Sequence, residues 1–330
     1  MMRGMPKHYR HLNQKERDQL AIWRSQGHSL RAIARCLHRD PSTVLRELRR
    51  NGLQAGAYLP HKAQERSVKR WRSTHQRERL SDPEIRGYVQ AKLQARWSPE
   101  LIAGRLQRER PEKRISHEAI YQWIYTEAPE LSLYLARKHK KRRWRNYRKG
   151  TGGKYIIPRW VSIHKRPEAA NSRRQWGHWE ADTMVDGYRR AGIQVLVERK
   201  ARYACLTKLV PLNAWAMREA LSRRLAEFPP RFRKSLTYDN GSENVEHEKI
   251  NQALGTRSYF CDPYQSWQRG TVENTIGIAR QLVPKKTDLT KVSVEMLQVV
   301  ERWLNTRPKK CLDYRTPEEA FKAAGVALAP

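Results

Sequence analysis

Gly177-His178-Trp179-Glu180-Ala181-Asp182-Thr183-Met184 opens the back half of this 330-residue chain and decides how that half is read. From Trp179 to Val185 the residues alternate with the period of a strand. Downstream, residues 192–198 and 203–210 read as two more strands. The connections are short, so an antiparallel meander is expected. Residues 214–227 read as a helix, with Leu221 and Leu225 at helical spacing. A fourth strand over 235–239, a helix over 243–254, a fifth strand over 257–261 and helices over 271–283 and 293–305 complete the pattern.

The order βββαβαβαα, with a mixed five-stranded sheet, matches an α/β RNase H-like fold. In that arrangement Asp182 lies on the first, central strand. Asp239, in Thr237-Tyr238-Asp239-Asn240-Gly241, ends the strand expected beside it. Glu273, in Trp267-Gln268-Arg269-Gly270-Thr271-Val272-Glu273-Asn274, begins a helix that crosses the sheet. Three acids distant in sequence then meet at one sheet edge. Carboxylates suit hard Mg²⁺ ions. Two such ions about 3.5–4 Å apart can activate a hydroxyl and stabilise the leaving oxygen of a phosphodiester. Taken singly, Asp239 also fits plain Asp-Asn-Gly turn chemistry, and Glu273 a helix-dipole acid. Glu180 and Asp186 stand at even spacing from Asp182, so periodicity does not choose among the three.

The acids are set in a strongly basic chain. Lys plus Arg is 67 and Asp plus Glu is 33, a formal charge of +34. Residues 1–150 carry 36 basic and 14 acidic residues (+22), residues 151–330 carry 31 and 19 (+12). Such an excess points to a polyanionic partner, of which double-stranded DNA is the usual one. No apolar run approaches the ~20 residues that span a bilayer, so no membrane role is expected. Met1 to His8 lacks the apolar core of a signal peptide. A cytoplasmic, nucleoid-associated protein is expected. Cys36, Cys205, Cys261 and Cys311 are scattered and form no Cys-x-x-Cys pair, so they read as core residues rather than zinc ligands.

The front half reads as helical. Residues 14–26 form a first helix with Leu20, Ile22 and Trp23 on its apolar side. Leu30, Ile33, Ala34 and Leu37 share a face of the next, capped by Ser29. Asp40 and Pro41 start a third, with Val44, Leu45 and Leu48 inward. Ser42, Thr43, Arg46, Arg49 and Arg50 are left free for a DNA groove and its phosphates, as in a helix-turn-helix. A second, weaker candidate contains Ser98-Pro99-Glu100 and a helix capped by Ser116, offering His117 and Gln122 to DNA. A helical spacer or dimerisation module is the other reading. Nine of the thirteen residues 137–149 are Lys or Arg. There Lys140, Arg142, Arg143 and Arg145 fit both a solvated linker and an arm tracking DNA, with Trp144 and Tyr147 to stack. The expected domains are 1–60 (helix-turn-helix), 61–80 (basic linker), 81–136 (second helix-turn-helix-like module), 137–155 (basic linker) and 156–330 (RNase H-like).

Several stretches together resemble insertion-sequence transposases of the DDE superfamily, in particular the IS-thirty family. They are His178–Asp182, Thr237–Glu243, Trp267–Asn274, Asn305–Lys310 with Thr316-Pro317-Glu318, and, in front, Ser29–Ala34 and Pro41–Leu48. The 33 residues between Asp239 and Glu273 (273 − 239 − 1) fit this family's spacing. The resemblance selects Asp182, Asp239 and Glu273 as catalytic, metal-binding residues using two Mg²⁺ ions, with Mn²⁺ as a substitute. It implies cleavage at the element's terminal inverted repeats, 3′-OH strand transfer, a circular intermediate, and a homo-oligomer pairing two DNA ends. Ile276 stands where the family usually has Asn. Beside the acids, Arg269 is expected to hold a phosphate, Trp267 to pack on a base, and His178 to orient Asp182. The rivals are a catalytically silent DNA-binding regulator and a junction-resolving nuclease.

Overall fold

The computed structural model describes residues 11–52, 57–75, 80–135, 157–187, 190–263 and 265–326. Two compact units emerge, Met1–Arg79 and Leu80–Pro330.

The first unit contains α1 (Gln14–Ser25), α2 (Leu30–Cys36), α3 (Pro41–Asn51) and α4 (Pro60–His75). Local chemistry sets the starts. Asn13 and Glu16 close a capping box on α1, Ser29 caps α2, and Asp40 caps α3 with Pro41 in the first turn. Leu12, Leu20, Ile33, Ala34, Val44, Tyr58 and Ala63 form the core. Arg17 is buried in it, held by Glu47, Gln64 and the Leu12 carbonyl. The stretch expected as a linker over 61–80 is, through His75, the helix α4. Ala63 is fully buried, and Arg66 and Arg70 bond to the buried Asn51, so this is a helix packed on the rest of the unit. Ile22 and Leu45, expected inside, are exposed.

The second unit begins with α5 (Pro83–Gln94), α6 (Pro99–Glu109) and α7 (His117–Thr126), around Val89, Leu93, Ile102, Ile120, Trp123 and Ile124. Ser98 and Ser116 cap α6 and α7. After the short α8 (Glu168–Asn171) come β1 (His178–Val185), β2 (Gly192–Glu198) and β3 (Ala204–Leu209). Then follow α9 (Ala214–Ala226), β4 (Ser235–Tyr238), α10 (His247–Leu254), β5 (Arg257–Phe260), α11 (Gly270–Ala279), α12 (Val294–Thr306) and α13 (Pro317–Ala323).

The strand order is β3-β2-β1-β4-β5. β1–β2 and β2–β3 are antiparallel, and β1–β4 and β4–β5 are parallel. That is the expected RNase H-like meander with two parallel additions. Helices cover both faces, so every residue of β2 is buried. Trp179, Ala181, Leu196, Leu221, Leu236 and Phe321 belong to one core. Met184, Val195, Val197, Val272, Val300 and Leu304 belong to the other. Alternation along β1 therefore turns Glu180, Asp182 and Met184 toward α11.

Gly177 sets the start of β1. Its φ is +89, and a Cβ there would fall 2.8 Å from the Phe232 carbonyl carbon, so only glycine fits.

The helical module of 80–135 is not a separate domain from the sheet, as had been expected. Arg105 of α6 reaches both oxygens of Glu319 and the Tyr314 carbonyl, and Trp303 donates to the Ala95 carbonyl. A Cβ on Gly104 would lie 2.2 Å from the Tyr314 ring, so the backbone of α6 is pressed on that ring. Cys205 and Cys261 are buried as expected, whereas Cys36 and Cys311 are exposed. Among the described residues no helix is long and apolar enough to cross a membrane.

Candidate active site

The parallel pairing of β1 with β4 sets Glu180 opposite Thr237. Two residues further on, the same register brings Asp182 level with Asp239, just past the end of β4. Asp182 Oδ1 accepts from the Thr183 amide at 2.8 Å. Asp239 Oδ1 accepts from the Gly241 amide at 3.1 Å and from Asn244 Nδ2 at 2.8 Å, which fixes the Asp-Asn-Gly turn. One guanidinium bridges the pair: Arg269 Nη1 lies 3.3 Å from Asp182 Oδ2, and Nη2 lies 3.4 Å from Asp239 Oδ2.

Arg269 comes from a short turn just before α11. It is buried and donates to the Ala181 carbonyl at 2.9 Å. Burial works against its charge, but Asp182 and Asp239 outweigh that and raise its pKa. Burial likewise pushes the Asp182 carboxyl above its ordinary value; Arg269 opposes this and Asp239 adds to it. The result is a half-buried carboxylate whose desolvation outweighs the positive charge nearby.

The third acid is placed differently. Glu273 sits in the first turn of α11, half-buried, with no hydrogen-bond partner among the described residues. No three His, Cys, Asp or Glu side chains among the described residues are grouped closely enough to hold a metal ion. The structure brings Asp182 and Asp239 together and leaves Glu273 apart from them.

The other acids of β1 are committed elsewhere. Glu180 is fully buried, paired with Arg199, and accepts from the Thr271 and Val272 amides at 2.9 Å each. It thereby pins the start of α11 to the sheet. Asp186 is buried beyond β1 and accepts from the Arg190 amide at 3.3 Å. His178 does not orient Asp182 as expected: its ring nitrogens meet Ser235 Oγ at 2.7 Å and Gln175 Oε1 at 2.9 Å. Burial, with Lys234, Arg199 and Arg166 nearby, pushes its pKa down to about 4. Arg269, expected to hold a phosphate, is spent on the two aspartates. Trp267 stands 69% exposed beside it.

Arg280, not singled out in the sequence, ties the end of α11 to the end of β1. It lies seven residues, two helical turns, beyond Glu273. Its guanidinium donates to the Val185 carbonyl at 3.2 Å, at the end of β1. Helical spacing from Glu273 was the available signal.

Of the groove candidates in the first unit, Arg46, Arg49 and Arg50 are exposed and Ser42 and Thr43 half-buried on α3, with Arg46 donating to Ser42 Oγ at 2.6 Å. Thr43, Arg46 and Arg50 line a cleft of about 400 Å³ against α4. In the second unit His117 is exposed, while Gln122 is bonded to Glu118 on the same helix at 3.0 Å. Lys140, Arg142, Arg143 and Arg145, with Trp144 and Tyr147, lie outside the described residues.

A family model described as a helix-turn-helix domain matches residues 8–51. The chain is 38% identical over 318 residues to the transposase for insertion sequence element IS1086 of Cupriavidus metallidurans, covering 94% of this chain and 93% of that protein. It is 38% identical over 329 residues to the transposase InsI for insertion sequence element IS30A of Escherichia coli, covering 96% and 85%. It is 33% identical over 325 residues to the transposase for insertion sequence element IS4351 of Bacteroides fragilis, covering 95% and 96%. Among solved structures, the catalytic core domain of BIV integrase aligns with 45% of this chain and 95% of that chain, at 18% identity and a TM-score of 0.37.

Proposed function

This chain belongs to the IS30 (IS-thirty) family of insertion-sequence transposases, and from that premise we propose that it cuts and joins DNA at the ends of its own element. The first unit binds the terminal inverted repeats, with Arg46, Arg49 and Arg50 on phosphates and Ser42 and Thr43 toward base edges. The sheet unit hydrolyses one strand at the element's end and directs the freed 3′-hydroxyl onto a second phosphodiester. The working form is a homo-oligomer that pairs two ends.

The observation that carries this reading is the convergence of Asp182 and Asp239, from adjacent parallel strands, on one buried guanidinium. The site suits divalent magnesium, with manganese as substitute: its donors are hard carboxylate oxygens, and burial leaves Asp182 short of positive charge. Asp182 and Asp239 are the residues already placed to hold an ion; Glu273, not grouped with them here, would join them as the family resemblance implies. When bound, the ions lower the pKa of the attacking hydroxyl and neutralise charge at phosphorus. The chain's own contribution is positioning. Arg269 keeps the two aspartates side by side, the Asn244 bond orients Asp239, and Glu180 anchors the helix that carries Glu273.

The test is incubation with DNA carrying the element's ends and Mg²⁺ or Mn²⁺, followed by mapping of strand ends. Nicks at the repeat boundary and joined products are expected. Asp239→Asn should bind the same DNA and yield neither. Tight binding by the wild type without nicks in either metal would instead favour the silent regulator.

A further inference from the structure

A second feature of the sheet unit is a group of cations with no ion pair among the described residues. Arg202, in the turn between β2 and β3, donates through Nη1 to Thr271 Oγ1 at 2.8 Å. Arg173, just after α8, reaches the same oxygen through Nη2 at 3.4 Å. Two guanidiniums thus share one neutral hydroxyl, two residues before Glu273. Lys309 follows α12, and its side chain has no hydrogen bond or ion pair among the described residues. Arg307 beside it is only 5% exposed, its plane over the Trp303 ring, with Nε and Nη1 unpartnered.

The neighbouring acids are committed. Glu180 is taken by Arg199 and the α11 amides, and Glu198 accepts from the Gly177, Lys200 and Ala201 amides. Burial, then Arg307 and Arg202, push the Lys309 ammonium down to about 8. Burial, then Arg202 and Arg199, lower Arg173. Both Arg173 and Arg202 hold left-handed backbone, φ 56 and 62, where Gly or Asn is cheaper. Mutually repelling cations on left-handed backbone, with no ion pair among the described residues, suit a binding site better than a packing role.

We propose that Arg173, Arg202, Arg307 and Lys309 form a phosphate cradle that grips the backbone of duplex DNA beside the Glu273 end of α11. The cradle rests on the reading above that DNA is the substrate, and adds to it a fixed second grip on the strand being cut. Arg173 and Arg202 each take one phosphate, trading the shared Thr271 hydroxyl for charge-assisted bonds.

The test is binding of a random-sequence duplex by the full chain, followed by fluorescence anisotropy over a salt series with EDTA present. Arg173→Asn with Arg202→Asn keeps residues suited to the left-handed backbone and removes both charges. The slope of log K on log salt should fall by about 2, at ~0.9 per lost phosphate contact. The variant should melt no lower than the wild type, because repulsion is relieved. Arg223→Gln with Lys249→Gln, on the helices of the opposite sheet face, should leave the slope unchanged. In the wild type, duplex DNA should also protect Lys309 from an amine-acetylating reagent, read by mass spectrometry.

An unchanged slope in a well-folded double variant, or Lys309 equally reactive with and without DNA, would overturn the cradle. So would an unchanged slope with a smaller oligomer, which would make the cluster a subunit contact. If the wild type shows no salt-dependent binding of duplex at all, it is the transposase reading that fails.

Discussion

Glu180 and Asp182 stand two residues apart on one face of β1, each beside a buried arginine, yet they have opposite surroundings. Glu180 is sealed: Arg199 pairs with it, two helix amides donate to it, and neither side chain is more than 6% exposed. Asp182 is held by a guanidinium at 3.3 Å that it shares with Asp239, and burial raises its pKa. Close charge-assisted pairs lie near 2.7–2.9 Å. The first pair is therefore a structural rivet, and the second is the looser pair on which the proposed metal site rests.

Exchanging each acid for its amide breaks this comparison most sharply. Asp182→Asn should abolish strand cleavage, a loss of about a thousandfold or about 4 kcal/mol of barrier. Its melting temperature should be no lower than that of the wild type, because a partly desolvated, incompletely paired charge is gone. Cleavage within tenfold of wild type would remove Asp182 from the site. Glu180→Gln should do the reverse to the fold. It leaves Arg199 buried without a partner, at a cost of about 3–5 kcal/mol in urea unfolding. A variant of wild-type stability would show that the rivet is dispensable.

His178 extends the comparison by one more step along the same strand face. Its folded pKa, near 4, lies below the ordinary 6.5. Between those values the unfolded chain binds a proton that the folded chain refuses. Stability should therefore fall as pH drops from about 6.5 to about 4, with no further contribution below. His178→Asn should flatten that segment of the melting-temperature profile by several degrees. Parallel profiles for the two proteins would mean that the ring is not held neutral.

The strands were legible because alternation and short connections leave few ways to order them. Asp182 and Asp239 were placed correctly because strand ends are marked by turn residues such as Asn240-Gly241. The roles of Glu180, His178 and Arg269 were not legible, since satisfaction by Arg199, Ser235 or the Ala181 carbonyl is a tertiary fact. The helix α4 was mistaken for a linker because its many basic residues obscure Ala63, the small apolar residue that it buries. The docking of α6 on Tyr314 was invisible for the same reason. Gly104 signals a close approach but not what approaches.

The finest test of the comparison keeps both arginine charges and changes only their shape. Lysine is a point charge and cannot reproduce a guanidinium fork. Arg199 uses two arms of its fork at once, Nη1 on Glu180 and Nε on the Ala170 carbonyl at 3.1 Å. Arg269 spans two longer ion pairs, which an ammonium can also sit between. Arg199→Lys should therefore cost about 3 kcal/mol of stability and Arg269→Lys only about 1 kcal/mol, mostly for the lost bond to the Ala181 carbonyl. If the two costs come out equal in denaturant titrations, Arg269 is as much a rivet as Arg199. The pairing of Asp182 with Asp239 would then have to be read as architecture.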